Sequence, residues 1–390
     1  MNRRQLVQSL ALAGLLPSLP LPGRTAGTVR TLYPGMSLSA LLAQCVDDDV
    51  IEVKPGLYSA QVGAITQRRL TIRGIGSPRP VFRADGVSAL GKGILVVRNA
   101  ENVLIENLEF RGARVADLNG AGIRHELGNL TVRNCAFFDN EMGILTNNDA
   151  NCTLDVSNSE FGFAANSPAA TSPYPPHLIY VGRIKQFSLT GCYFHDGRVG
   201  HLVKSRAQTS LISYNLLVDG PKGTSSYELD LPEGGLVWVI GNVISQGALS
   251  PNSNIVSYGE ETSTLTQHGL YMANNTIINN RSAGTFVRVS PARLSAGLSM
   301  RFTNNLLVGA GSVATGTTPW TTDNRLTTLG SLVAPASLNF KLLSTSPLRG
   351  TGVVPGWAGG RLLNPMAQFK LPLGTTPITA PAAWSPGAFQ

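Results

Sequence analysis

Ionisable side chains of both charges are concentrated in two short segments near the middle of the chain. Segment 200–206, GHLVKSR, holds a histidine, a lysine and an arginine, and segment 227–232, YELDLP, holds a tyrosine and two carboxylates. These are the group types that remove a proton beside a carboxylate, neutralise that carboxylate and protonate a leaving oxygen. The candidate catalytic residues are therefore His201, Lys204, Arg206, Tyr227, Glu228 and Asp230.

The alternation of side chains along a strand predicts which of these groups share a face. Inward-pointing leucines on either side of Asp230 turn that residue and Glu228 outward. By the same rule Lys204 points outward, and it lies about 5 Å from the acidic pair when the two segments form neighbouring strands. A ladder of salt bridges that only stabilises stacked strands is the alternative to a catalytic cluster, and both interpretations stay open at this point.

Equivalent segments elsewhere carry further polar and aromatic side chains. HLIYVG at 177–182 begins with a histidine, as HLVKSR does at 201–206, so we expect the two imidazoles to stack. NIVSYGEE at 254–261 adds a tyrosine and two glutamates. The ionisable groups thus belong to four successive segments, which predicts a single polar patch. The candidate substrate-binding residues in this patch are His177, Tyr180, Tyr258 and Glu260.

A repeat of variable period positions these segments. One apolar column recurs at intervals of 23 to 33 residues, and a second column follows it five residues later. Between the columns lies a turn whose first position is mostly asparagine or glycine, residues that tolerate positive φ. Four successive repeats carry asparagine at the second turn position, where stacked amides can bond from repeat to repeat. The first column is Ile105, Val132, Val156, Leu189, Ile212, Val239, Met272 and Phe302, and the asparagines are Asn215, Asn242, Asn275 and Asn305.

Units of this length, built from short alternating strands without helices, must stack on their neighbours to bury their apolar faces. The repeat resembles the right-handed parallel β-helix of the pectate-lyase-like superfamily over roughly residues 50–310. This resemblance implies an all-β solenoid with a groove for an extended saccharide along one sheet. Ser37 and the apolar stripe after it predict an N-terminal capping helix. We expect the β-helix with its cap over 28–310, and an irregular segment over 311–390 that caps or wraps it.

The VKS of residues 203–205 resembles the catalytic-lysine strand of the chondroitinase-B-like and alginate-lyase β-helix family. This resemblance implies that Lys204 is the base of a β-elimination. That family also has calcium-binding glutamates before the lysine and an arginine on the following coil. In this chain GRVGHL stands before the lysine in place of the glutamates, and Glu228 and Asp230 stand on the following coil in place of the arginine. We therefore predict no metal and no cofactor. Calcium bound by Glu228, Asp230 and Glu260 is the alternative, although no loop signature accompanies it.

The first residues predict export. Residues 1–27 combine a basic start, an apolar run and small residues, as a secretory signal peptide does, and Arg3 with Arg4 resembles a twin-arginine signal. No other stretch has 18 uninterrupted apolar residues, which predicts a periplasmic or secreted protein without a membrane span. We expect a monomer.

The charge of the chain predicts an anionic partner. The formal net charge is +8, and it is +5 without the three arginines of the leader. No basic run is interleaved with aromatic residues, so the composition favours an anionic polysaccharide over nucleic acid.

The preferred hypothesis is a polysaccharide lyase that cleaves a uronate-containing polymer by β-elimination. Lys204 is the base, and Arg206 neutralises the substrate carboxylate. The proton donor is Tyr227 or His201.

Two other functions fit the same residues. A glycoside hydrolase would use Glu228 and Asp230, which are about 6.6 Å apart along one strand and so near the range of inverting enzymes. A non-catalytic carbohydrate-binding or surface scaffold protein would need only the repeat.

Overall fold

Three long parallel sheets, named A, B and C, form the backbone of the protein. The computed structural model describes residues 27–166, 168–171, 175–294, 297–315 and 323–390, so the predicted leader lies outside the described residues except for Gly27. Within these ranges, sheets A and B have 11 strands each and sheet C has 10. Each coil passes from sheet A to sheet B and then to sheet C, and each strand pairs with the equivalent strand of the next coil.

The strands of sheet A are Val29–Leu32, Asp49–Val53, Arg69–Gly74, Ala100–Glu106, Gly128–Arg133, Thr153–Ser157, Gln186–Thr190, Thr209–Ser213, Leu236–Ile240, His268–Ala273 and Leu298–Thr303. Those of sheet B are Leu57–Ser59, Val81–Arg83, Glu109–Arg111, Ala136–Phe138, Glu160–Gly162, Tyr193–Phe194, Leu216–Val218, Val243–Gln246, Thr276–Asn279, Leu306–Val308 and Arg325–Thr327. Those of sheet C are Gly63–Ile65, Gly93–Val97, Ala121–His125, Met142–Thr146, His177–Val181, Val203–Ser205, Leu229–Leu231, Asn254–Tyr258, Thr285–Val289 and Ser312–Thr315.

Short elements complete the described chain. The helix Leu38–Leu42 begins after Ser37, whose hydroxyl accepts a hydrogen bond from Ala40 N at 3.2 Å. Leu38, Leu41 and Leu42 are buried, so the predicted N-terminal cap is confirmed. The other elements are 3-10 turns at Pro168–Thr171, Pro291–Arg293, Leu329–Ser331 and Pro335–Ser337, and antiparallel pairs of Leu332–Ala334 with Asn339–Leu342, Trp357–Ala358 with Arg361–Leu362, and Ala367–Phe369 with Thr375–Pro377. Among the described residues, no helix is long and apolar enough to cross a bilayer.

The predicted register of the repeat is confirmed strand by strand. In sheet A, each residue of the first apolar column pairs with its counterpart on the next coil, from Ile105 to Phe302. In sheet B, the second column does the same from Phe110 to Leu307. The bend between the sheets has positive φ at its first position, for example 55° at Asn107 and 65° at Gly191. Unequal loops elsewhere in each coil therefore leave these two columns aligned.

Aromatic rings fill the interior behind sheet B in the first coils. Neighbouring rings are stacked, with centroids 4.5 to 5.9 Å apart. Each such contact contributes about 0.5–1.5 kcal/mol beyond its buried area. The stack consists of Tyr58, Phe82, Phe110, Phe137, Phe161 and Phe194.

The C-terminal segment lies along the outer faces of sheets A and B. Trp238 Nε1 donates to Ala358 O at 3.1 Å, and Asn274 Nδ2 donates to Ser385 O at 2.9 Å. Because these contacts reach coils well before the last one, the segment wraps the side of the solenoid. Neither contact involves sheet C.

Candidate active site

The outer face of sheet C carries a continuous row of side chains. Backbone pairing places Lys204 between Tyr180 and Asp230, while Val203 and Ser205 are fully buried on the inner side of the strand. Lys204 therefore lies on the outer face. From Arg124 to Arg288 the row is Arg124, Leu145, Tyr180, Lys204, Asp230, Ser257 and Arg288.

Lys204 sits between two carboxylates and an aromatic ring. Its Nζ lies 3.3 Å from Asp230 Oδ2 and 3.6 Å from Glu261 Oε1. The same atom is 5.6 Å from the centroid of the Tyr180 ring, a cation–π distance. The amine is thus held in one place at the edge of the cleft described below, with 12% of its side chain exposed.

Two neighbouring histidines adjoin the lysine. The rings of His177 and His201 have centroids 4.7 Å apart, which confirms that they are adjacent, but they are inclined by 36° and not stacked as expected. Each Nδ1 accepts a backbone N–H from the next coil, from His201 N at 2.9 Å and from Tyr227 N at 3.3 Å. In the neutral rings the proton is therefore on Nε2. The Nε2 atom of His201 lies 3.4 Å from Asp230 Oδ2.

Burial keeps both imidazoles neutral. Desolvation lowers the pKa of His201 to about 4, although the Asp230 carboxylate opposes the shift. Desolvation also lowers the pKa of His177 well below its usual range, and the positive charges of its neighbours add to the effect. Both rings therefore stay uncharged near neutral pH.

Arg206 is saturated by protein groups. Its Nη1 donates to Glu233 Oε1 at 2.7 Å and to Glu261 Oε2 at 2.6 Å, and its Nη2 donates to Glu261 Oε1 at 2.9 Å. Its Nε donates to the Tyr180 hydroxyl at 2.9 Å. Hydrogen bonding from Arg206 lowers the pKa of Glu261, so this glutamate is ionised at neutral pH. A substrate carboxylate would compete for Arg206 with Glu261, whose side chain is 47% exposed.

Glu233 is a functional-site residue that the sequence did not indicate. It is 1% exposed and also accepts two hydrogen bonds of 2.7 Å from Arg183. Its position follows the strand Leu229–Leu231, in a turn where strand alternation makes no prediction. The buried Glu233 therefore holds Arg206 in place. Of the two carboxylates that bind Arg206, only that of Glu261 is exposed enough for a ligand to replace it.

These groups line a cleft of about 490 Å³. Pro175 and Glu261 are part of its lining. His177, Tyr180, His201, Lys204 and Arg206 all contribute to the lining, so five of the ten predicted site residues share one cavity. Arg124 lines it as well, although the sequence offered no reason to select it.

Two predicted site residues face the interior instead. Glu228 and Tyr258 are fully buried, so the expectation that they face the groove is wrong. The strand around Asp230 covers only Leu229–Leu231, which leaves Glu228 in the preceding bend, where alternation does not hold. Tyr258 pairs with Leu231 in the inward row, and its hydroxyl donates to Gly235 O at 2.6 Å. The proposed hydrolase pair of Glu228 and Asp230 is therefore not presented on one surface.

The remaining predicted residues lie at the rim or beyond it. The Tyr227 ring packs on His201 with centroids 5.0 Å apart. Glu260 accepts a hydrogen bond from Arg288 Nε at 2.7 Å, outside the lining of the cleft, and its neighbour Glu261 takes the place expected for it. Among the described residues, no group of three or more acidic, histidine or cysteine side chains is arranged to hold a metal, so Glu228, Asp230 and Glu260 do not fit the calcium site considered above.

Comparison with known proteins identifies the fold. The sequence matches no family model and no curated protein. The structure is similar to the crystal structure of pectate lyase Pel9A, with a TM-score of 0.52 and 15% sequence identity. The similarity covers 94% of this chain and 97% of that chain. The chain is a right-handed parallel β-helix protein. The fold implied by the sequence resemblance is confirmed.

Replacing Glu228 with glutamine should stabilise this β-helix, and the gain should grow with pH. Desolvation raises the pKa of Glu228 well above its usual range, and the nearby Asp219 carboxylate adds to the shift. The unfolded chain releases this proton above about pH 4.5 while the folded chain retains it, so folding stability falls by up to about 1.4 kcal/mol per pH unit above that point. Glutamine has no such proton. Urea unfolding near about pH 5 and about pH 8 measures the difference.

An exposed acid provides the control for that experiment. Asp117→Asn also removes a carboxylate, but Asp117 is exposed and its substitution should change stability equally little at both pH values. The buried histidines are the same in the wild type, Glu228→Gln and Asp117→Asn, so their contribution to the pH dependence of stability cancels when the three proteins are compared. A Glu228→Gln protein that is less stable than the wild type at the higher pH would show that Glu228 is ionised in the fold.

Proposed function

We propose that this β-helix protein binds an acidic, uronate-containing polysaccharide in the cleft on sheet C and cleaves it by β-elimination, with Lys204 as the base. The observation that carries the proposal is the convergence of Lys204, Arg206 and His201 in the lining of one cleft, with Asp230 3.3 Å from the Lys204 amine. The similar solved structure is named a pectate lyase, and pectate is a polymer of this class. Export, as residues 1–27 predict, would bring the protein to such polymers outside the cytoplasm.

The seat of Glu261 indicates where the substrate carboxylate binds. Glu261 forms a two-pronged contact with Arg206 and lies 3.6 Å from Lys204 Nζ. A uronate carboxylate has the same charge and geometry, so it replaces Glu261 at these two cations. This exchange brings the C5 proton beside that carboxylate close to the Lys204 amine.

The elimination then proceeds without a covalent intermediate. Once the Lys204 ammonium has lost a proton to solvent, the free amine takes the C5 proton, the C5–H electron pair becomes the C4=C5 double bond, and the C4–O bond breaks with its electrons on the leaving oxygen. Arg206 stabilises the charge that develops on the carboxylate. Asp230, 3.3 Å from Nζ, stabilises the new ammonium group. Tyr227, whose ring packs on His201 with centroids 5.0 Å apart, is the proton donor to the leaving oxygen.

Incubation with uronate polymers tests the proposal. The purified protein is mixed separately with pectate, alginate, chondroitin and glucuronan, both with added calcium and with a chelator. We expect the ultraviolet absorbance of unsaturated uronate to rise with at least one polymer. New reducing ends without this absorbance would indicate hydrolysis, and no product from any polymer with folded protein would contradict the proposal.

One observation favours a second function, which is carbohydrate binding without turnover. Lys204 and Arg206 already have carboxylate partners, as residues of a purely structural ion-pair network do. In that case the polymer binds, no product appears, and Lys204→Gln alters the stability of the protein or its affinity for the polymer but no product yield.

A further inference from the structure

Arg124 stands in the same outward row as Lys204, three strands earlier. The row runs from Arg124 through Leu145 and Tyr180 to Lys204, and Arg124 lines the same cleft. With a strand spacing of about 4.8 Å, the two residues are about 14 Å apart along the groove. The cleft therefore has a cation at each end of this stretch.

The guanidinium of Arg124 has no carboxylate partner among the described residues. Its Nη2 donates to the neutral Asn147 Oδ1 at 2.7 Å, and its Nε is buried without a hydrogen-bond partner in the described part of the chain. The Glu126 carboxylate acts on Arg124 electrostatically, but this carboxylate is already paired with Lys92 and with Arg98. Arg124 therefore has no anion of its own in the described part of the chain.

Arg124 differs in this respect from Arg206. Hydrogen bonds with Glu261 raise the pKa of Arg206 although desolvation opposes them, whereas desolvation dominates at Arg124 and lowers its pKa. Burying a guanidinium without an anion is unfavourable, and a ligand carboxylate would relieve that cost. The planar fork of arginine suits a carboxylate in particular.

We propose that Arg124 binds a second carboxylate of the polymer, about three sugar units from the uronate held at Lys204 and Arg206. An extended 1,4-linked pyranose chain advances by about one strand spacing per sugar, so a chain lying along the groove brings its fourth uronate to Arg124. This inference rests on the proposed function for the identity of the polymer. It makes Arg124 a specificity-determining residue that selects charged oligomers of at least four units.

The test is equilibrium binding of galacturonate oligomers by calorimetry. We expect the wild-type protein to bind the pentamer more tightly than the dimer. Arg124→Gln should weaken pentamer binding by about tenfold or more and leave dimer binding unchanged, since only the pentamer reaches this residue. A fully methyl-esterified pentamer should bind equally to both proteins. Arg124→Lys keeps the positive charge but not the planar fork of arginine, so its affinity for the pentamer should lie between those of the wild type and Arg124→Gln.

Two controls separate the inference from its alternatives. Arg349→Gln removes the same charge from an exposed position in the C-terminal segment and should not change the affinity for either oligomer. The inference would be overturned if Arg124→Gln lost affinity equally for the dimer and the pentamer. It would also be overturned if the wild type bound both oligomers with the same affinity. Elimination is read separately from product absorbance. If Arg124→Gln loses pentamer affinity but the wild type forms no product, only the lyase proposal is refuted. If the wild type forms product but Arg124→Gln binds the pentamer as well as the wild type does, only the role of Arg124 is refuted.

Discussion

Replacing Lys204 with glutamine should lower the turnover number for uronate polymers by a factor of about 10² to 10⁴, the contribution typical of a positioned general base. Glutamine is polar and somewhat shorter, and its amide can still donate to Asp230, so the cleft keeps a neutral donor where the amine was. It cannot accept a proton from C5. The Michaelis constant should change much less than the turnover number, because Arg206 and the rest of the lining still bind the polymer. Initial rates of unsaturated product formation across substrate concentrations measure both constants.

Glu228→Gln is the matched control for that substitution. It also converts an ionisable side chain to an amide, on the coil next to Lys204, but Glu228 is fully buried away from the cleft. We expect its turnover to stay within about twofold of the wild type. If Glu228→Gln abolished formation of the unsaturated product while Lys204→Gln retained it, the assignment of Lys204 as the base would be wrong.

The sequence predicted the fold because the repeat constrains every coil in the same way. Residues of the columns, such as Ile105 and Phe110, repeat with a fixed separation of five, and a slip by one residue would turn an apolar side chain outward. The turn asparagines add a second constraint at a fixed place. Periodicity therefore specified the register of sheets A and B, and the structure agrees at each column residue.

The site was less predictable because loops of unequal length separate the strands of sheet C from the aligned columns of sheets A and B. Alternation places Lys204 correctly within Val203–Ser205, yet it fails one residue before the three-residue strand at Leu229, where the chain bends and Glu228 turns inward. It also gives no information on the turns that carry Glu233 and Glu261. Ion pairs between residues 27 and 55 positions apart, such as those of Arg206, depend on loop geometry that no local pattern encodes.

Replacing Asn242 with alanine should destabilise the β-helix by about 3 to 5 kcal/mol, because it interrupts a buried ladder of amides. Asn242 Oδ1 accepts from the backbone N and the side-chain Nδ2 of Asn215, both at 2.9 Å. Its Nδ2 donates to Ile212 O at 2.9 Å and to Asn275 Oδ1 at 3.1 Å. Alanine leaves several of these buried groups without a partner, at about 1–3 kcal/mol each. Urea unfolding followed by circular dichroism measures the loss.

The position of Asn242 within the ladder explains why the effect should be large. The ladder continues through Asn275 and Asn305 to Asn324, one step beyond the four predicted residues, with Asn305 Nδ2 donating to Asn324 Oδ1 at 2.8 Å. Removing an internal amide affects both neighbours, whereas Asn151→Ala on the exposed surface should change stability by less than about 0.5 kcal/mol. Should Asn242→Ala cost no more than Asn151→Ala, the stacked amides would not be what stabilises the turns, and the apolar columns alone would account for the register of the coils.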